Sequence, residues 1–174
     1  MALQVPSQQL NWENRTFPIV VIAENIHSPT NVGMIIRICE AFGVQTLYFT
    51  GPYSNPSSKF KKASRSAEKY IEIIKDEDTV SVIQGLISQH FKIIALEITD
   101  ESTSIAQFQV ENGARLAILV GSERHGINDI SLKLADTELH IEQFGKTGSL
   151  NVGTALSVAL YELSKQMNSI ATNE

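Results

Sequence analysis

Six short apolar runs punctuate this chain: Pro18–Ala23, Gln45–Thr50, Tyr70–Ile74, Lys92–Leu96, Leu116–Val120 and Thr137–Ile141. Runs of this length suit buried strands and are too short for helices that must bury a face. Between and after them lie helical patterns at Asn31–Phe42, which Gly43 terminates, at Thr79–Gln89 and at Leu150–Met167. The last is the most regular, because Val152, Ala155, Leu156, Ala159, Leu160 and Leu163 recur at helical spacing. Strands alternating with helices predict an α/β domain with a mainly parallel sheet flanked by helices. A length of 174 residues fits one domain, 1–174, with residues 1–17 as an extension before the first strand and no separate second domain.

Three stretches are richer in Asn, Gly and Ser than a packed core requires: Asn25–Val44, Leu119–Asn128 and Ile141–Leu163. Each begins where an apolar run ends, after Ala23, Val120 and Ile141. Ligands of parallel sheets gather at the carboxyl ends of the strands. Glycine and asparagine at such junctions expose backbone and polar groups. The three stretches are therefore expected to form one composite site.

Composition removes several classes. One cysteine, Cys39, rules out an intramolecular disulfide, and its neighbours Ile35, Ile36, Ile38 and Phe42 make it a small core residue. Met1–Gln9 is polar and contains Pro6, unlike a secretion signal, and no apolar run approaches a membrane span. A cytoplasmic protein is the expectation. A net charge of −5 does not advertise nucleic-acid binding. Its distribution does, locally: Lys59, Lys61, Lys62, Arg65 and Lys69 fall within eleven residues against one acid, Glu68. Such a cluster is either a solvated helix face or a phosphate-binding patch on an acidic protein.

Common motifs are absent. The first strand is followed by Glu24-Asn25-Ile26-His27, so no dinucleotide-binding glycine fingerprint exists. Gly145-Lys146-Thr147 lacks the upstream glycine of a phosphate loop, since His140 stands there; Gly121 and Gly126 have the spacing, but Ile127 replaces the lysine. His27, His90, His125 and His140 show no metal-ligand spacing, so no metal site is expected. The positive features are polar residues beside apolar ones. Helix 31–42 is apolar on most sides and should be buried, which leaves Arg37 either paired with Glu40 or gripping a phosphate at a cleft. Asn31 stands where a helix N-cap belongs, and Ser149 and Asn151 flank Leu150 at the start of the last helix. Gly121 ends an apolar strand, where a missing Cβ lets a ligand approach, and Glu123 follows.

Together the three blocks resemble the motifs of the SpoU (tRNA/rRNA 2′-O-ribose) methyltransferases of the SPOUT superfamily. Asn31, Gly33, Arg37, Ala41, Phe42, Gly43 and Val44 match the first motif; Gly121, Glu123 and Gly126 match the second; Ser149, Leu150, Asn151 and Val152 match the third, with Ile141 and Gly145 upstream. Ser64–Glu68 resembles the family's Ser/Ala-rich segment after the second strand. Glu142 and Gln143 replace the family's usual Pro-Met, and Gly153 replaces a serine.

The resemblance implies a deep C-terminal trefoil knot, which chain-topology rules alone would reject. It implies S-adenosylmethionine as cofactor, held near Leu96, Gly121, Ile141, Ser149 and Leu150, and a homodimer whose sites are completed across the interface. It implies transfer of a methyl group to a ribose 2′-hydroxyl, on tRNA in preference to rRNA, with Arg37, Asn31, Glu123, Ser149 and Asn151 as catalytic residues. A guanidinium holds its proton to very high pH, so Arg37 is expected to fix a phosphate and stabilise the nascent alkoxide. RNA would meet Lys59, Lys61, Lys62 and Arg65. The alternatives are a non-catalytic knotted RNA- or cofactor-binding protein and a base-nitrogen methyltransferase of the same superfamily.

Overall fold

A computed structural model describes residues 13–52 and 57–172. Its elements in chain order are β1 (Phe17–Glu24), α1 (Pro29–Ala41), β2 (Val44–Thr50), α2 (Ser58–Ser64), β3 (Glu72–Glu77), α3 (Thr79–Ser88), β4 (Lys92–Leu96), β5 (Thr103–Ser104), β6 (Leu116–Val120), α4 (Asp129–Leu132), β7 (Thr137–His140) and α5 (Val152–Thr172). The strands form one seven-stranded sheet in the order β3-β2-β1-β6-β4-β7-β5, and every pairing is parallel. Strands buried on both faces need apolar residues at consecutive positions, and the central strands supply them: Ile19–Ala23 and Leu116–Val120 are all buried.

Alternate side chains of β1 divide the core. Ile19, Val21 and Ala23 join a cluster with Val32, Ile35, Ile36 and Cys39 of α1 and Leu156, Leu160 and Leu163 of α5. Val20 and Ile22 point the other way, into Val82, Ile83 and Leu86 of α3. Helices thus cover both faces. Cys39 is fully buried, and desolvation pushes its thiol well above the ordinary range, so it is an inert packing group.

The sheet's chain order reverses around β1. From there β2 and β3 extend to one side, and β6, β4 and β7 to the other. That is the topological switch point at which open parallel sheets form ligand clefts. β6, β4 and β7 follow one another on one side of β1.

Some boundaries differ from the sequence reading. The third strand begins at Glu72, because a 3-10 turn at Ala67–Lys69 closes through Tyr70 N–H to Ala67 O at 3.0 Å, leaving Tyr70 exposed. The last strand stops at His140, and the last helix starts at Val152 and runs to Thr172. Of the expected 51–58 loop, residues 53–56 lie outside the described segments. β5 spans two residues, too few for any period to reveal. The basic cluster begins on α2, which is capped by Ser57 and anchored by buried Phe60 and Ser64. Gly33 sets its position: a Cβ there would lie 2.7 Å from Phe60 O and 2.8 Å from Ala63 Cβ. α2 therefore crosses the first turns of α1 at backbone contact.

Candidate functional site: a cleft stitched from three motifs

α1 begins with Ser28 as N-cap and Pro29 as the first helical residue, a favourable pair because proline needs no amide partner there. The expectation that Asn31 caps this helix is therefore corrected. Asn31 sits inside the first turn, is only 8% exposed, and carries a buried amide that must find partners. It finds them in the other two motifs.

Asn31 Nδ2 donates to Glu123 Oε1 at 2.8 Å, and Asn31 Oδ1 accepts from Asn151 Nδ2 at 3.1 Å. Asn151 Oδ1 accepts from Gly153 N–H at 2.9 Å and so caps α5. A carboxylate only accepts, so Glu123 fixes the orientation of Asn31, and Asn31 in turn fixes Asn151. Glu123 also accepts the backbone N–H groups of Ser28 at 3.1 Å and His27 at 3.5 Å. The turn after β6, the start of α1 and the start of α5 are thereby joined by side-chain hydrogen bonds.

Partial burial would raise the Glu123 carboxyl, but hydrogen bonds from its own backbone, Asn31, Ser28 and His27 outweigh this and hold it below its ordinary value of 4.5. A group lowered in the folded state contributes stability above its unfolded value and loses that contribution as pH falls through the folded one. The melting temperature of Glu123→Gln should therefore lie below that of the wild type at pH 7. The gap should narrow as the pH falls below 4.5 and close once it passes the lowered value of the folded carboxyl. Melting curves from pH 3 to 7 measure it, and a gap independent of pH would separate the stabilisation from the charge.

The turn 121–126 is compact. Ser122 and Gly126 exchange two backbone hydrogen bonds at 3.0 Å, and Ser122 Oγ accepts from His125 N–H at 3.1 Å. Gly121 is required by the protein itself: a Cβ there would lie 2.0 Å from Gly126 C and 2.2 Å from Ile127 N. Close approach of the chain's own backbone thus requires the glycine, independently of the expected approach of a ligand. Glu97 closes the turn from the β4 side, accepting from Ile127 N–H at 3.2 Å and Ile98 N–H at 3.0 Å.

Beside this network lies a cleft of about 270 Å³. Leu96, Gly121, Ile141, Ser149 and Leu150, drawn from four separate parts of the chain, all line it, together with Glu123. Asn31 and Asn151 stand behind Glu123 and do not line it. Arg37 is also outside the lining. It is exposed, and among the described residues it makes no ion pair with Glu40 or any other acid. The expectation of a buried arginine is corrected: the α1 stripe that packs inward comprises Val32, Ile35, Ile36 and Cys39, and position 37 faces away from it. Lys59, Lys61, Lys62, Arg65 and Lys69 are all exposed on and just after α2. Among the described residues no group of three or more His, Cys, Asp or Glu side chains is arranged to hold a metal ion.

Sequence reasoning missed Ser28 and Glu97. The Ser-Pro pair before Thr30 is a readable capping signal, whereas nothing in the sequence marks Glu97, whose role depends on β4 lying beside β6.

A parallel sheet with an amphiphilic cleft at the carboxyl ends of β4, β6 and β7 defines an α/β protein built to hold a small molecule between strand ends. Residues 18–161 match the SpoU rRNA Methylase family, and the chain belongs to that family. It is 27% identical over 154 residues to the tRNA (guanosine(18)-2′-O)-methyltransferase of Aquifex aeolicus, covering 88% of this chain and 72% of that one. The crystal structure of the A. aeolicus TrmH/SpoU tRNA modifying enzyme superposes with a TM-score of 0.81 at 26% identity, over 91% of this chain and 80% of the other. The AdoMet-bound rRNA methyltransferase of Sinorhizobium meliloti shares the fold with a TM-score of 0.80 at 21% identity, over 90% and 59%.

Proposed function

We infer that this chain is an S-adenosylmethionine-dependent RNA 2′-O-ribose methyltransferase that acts on tRNA. Family membership and the likeness to the A. aeolicus tRNA enzyme support the activity and the substrate class. The observation that carries the reading is the Glu123–Asn31–Asn151 line, which locks three distant motifs around one cleft. The cleft suits an adenosyl cofactor in its chemistry. Leu96, Val120, Ile141 and Leu150 offer apolar walls for a planar base, and Ser122, Gln143 and Ser149 offer polar groups for hydroxyl and amino-acid portions.

S-adenosylmethionine held in this cleft would supply an electrophilic methyl group on a sulfonium, with a neutral thioether as the leaving group. The chain's own residues then have two tasks, alignment and stabilisation of the negative charge that develops on the ribose oxygen. Alignment contributes several kcal/mol to such displacements. Glu123 and Asn31 hold the cleft wall, and Ser149 faces the ligand space. Arg37, permanently charged and without an ion-pair partner among the described residues, holds an RNA phosphate beside the reacting ribose and stabilises the alkoxide as it forms.

Two finer features belong to the same reading. The segment after β7 is threaded as a trefoil knot, supported by residues 141–151 flanking the cleft before α5 returns onto α1. The enzyme is a homodimer, supported by Val158 and Tyr161 standing 41% and 59% exposed on α5, and each site is completed across the interface.

The test is incubation with labelled cofactor and separated tRNA and rRNA pools, followed by nucleoside mass spectrometry. Label on a tRNA ribose is the expected result. Label on a base nitrogen would reassign the reaction, and cofactor binding with no transfer would make this a binding protein.

The basic face of α2 is the proposed tRNA contact. Changing Lys61 and Lys62 together to Ala should weaken tRNA binding and reduce the slope of log K against log salt by roughly 1–2. Filter binding across a salt series measures this, and an unaltered slope removes the cluster from the RNA surface.

A further inference from the structure

We propose that Phe144 is a stacking platform for a nucleobase of the RNA substrate, a contact that holds the RNA at the mouth of the cleft. The proposal rests on the RNA methylation reading above. Phe144 is 95% exposed, more than any other large apolar side chain among the described residues. Nothing in the chain's own packing accounts for a phenyl ring left in water.

Its surroundings point to a ligand. Gln143 on one side and Ser149 and Leu150 on the other line the cleft, so residues 144–148 form its rim. Beyond their own chain neighbours, no heavy atom lies within 4 Å of where a Cβ would stand at Gly145 or Gly148, so the loop that carries the ring is open at both glycines. Lys146 is exposed two residues on, and Arg124 lines the same cleft. An aromatic face beside exposed cations at the mouth of a nucleoside-accepting cleft is the arrangement by which proteins hold unstacked bases, the ring taking the base and the cations its phosphates.

A second copy of the chain is the rival occupant. Aromatic anchors of protein interfaces sit among apolar neighbours, in cores depleted of lysine and glutamate. Phe144 is instead flanked by Glu142, Gln143, Gly145, Lys146 and Thr147. That setting favours nucleic acid.

Three variants of the full chain test this: Phe144→Ala, Phe144→Tyr, and Phe144→Trp in a Trp12→Phe background, which leaves one tryptophan. Phe144→Ala should lower kcat/KM on unfractionated tRNA by about 10–100-fold, chiefly through KM. Calorimetric affinity for S-adenosylmethionine should be unchanged, and Phe144→Tyr should retain the wild-type KM within about threefold, since a phenol stacks as well as a phenyl ring. The tryptophan at 144 should be quenched when unfractionated tRNA is added. An unaltered KM in Phe144→Ala, or an unquenched tryptophan, overturns the proposal. So does conversion of Phe144→Ala to a smaller species in sedimentation, which would assign the ring to an interface between copies. Quenching is read without turnover, so retained quenching with no methyl transfer by the wild type would reject the methylation reading and leave the stacking contact standing.

Discussion

Arg37→Ala should lower the rate of methyl transfer by about 10²–10³-fold, the loss typical when one preorganised donor to a developing negative charge is removed. Cofactor affinity should stay within a few-fold, because Arg37 lies outside the cleft lining. The melting temperature should also hold, since the side chain is exposed and breaks no ion pair among the described residues. Substitutions of that kind usually cost no more than about 0.5 kcal/mol. Arg37→Lys should recover little activity, because an ammonium keeps the charge and loses the planar fork that grips a phosphate through two donors. Single-turnover transfer, calorimetry with the cofactor and thermal melts separate these outcomes. A large fall in cofactor binding would make Arg37 structural, and full activity would remove it from the reaction.

That prediction turns on a correction to the sequence reading. From the sequence alone helix 31–42 is apolar on most sides, and a guanidinium in its middle looks buried. Burial follows which face meets the sheet, and that is set by contacts with Leu156 and Leu160 on α5 more than a hundred residues away. Asn31 shows the same limit in the opposite sense. Residue type identifies it as a polar group near a helix start, and either a cap or a ligand contact fits. Only the fold reveals a third role, relaying the geometry of Glu123 to Asn151. The central strands and the three long helices were legible because β-branched runs and helical periodicity are local properties. The convergence of the three motifs was also legible, because carboxyl ends of parallel strands share one edge whatever their order. β5, Glu97 and the crossing of α1 by α2 at Gly33 depend on which segments become neighbours, and no local pattern encodes that.

Gly121→Ala is the substitution expected to damage the fold and the cleft together. The added methyl carbon would sit 2.0 Å from Gly126 C, 2.2 Å from Ile127 N and 2.3 Å from Gly126 O. All three are backbone atoms, so no side-chain rotation relieves the clash and the 121–126 turn must move. Overpacking of this kind costs roughly 1–3 kcal/mol or more. For a chain of this size that is a fall in melting temperature of roughly 3–10 °C. The turn also carries Glu123, so its displacement loosens the bonds to Ser28 and Asn31 that hold the cleft wall. Cofactor affinity should therefore drop at least about tenfold, a loss of roughly 1.4 kcal/mol. Gly85→Ala is the matched control, because it lies within α3 and a Cβ there meets nothing within 4 Å. Alanine in a helix interior should leave stability equal or raise it by up to about 1 kcal/mol. Thermal melts and calorimetry on the pair measure both effects. If Gly121→Ala melted with the wild type, the turn would not be packed against the end of β6 as tightly as described, and the rigidity assigned to Glu123 would fall with it.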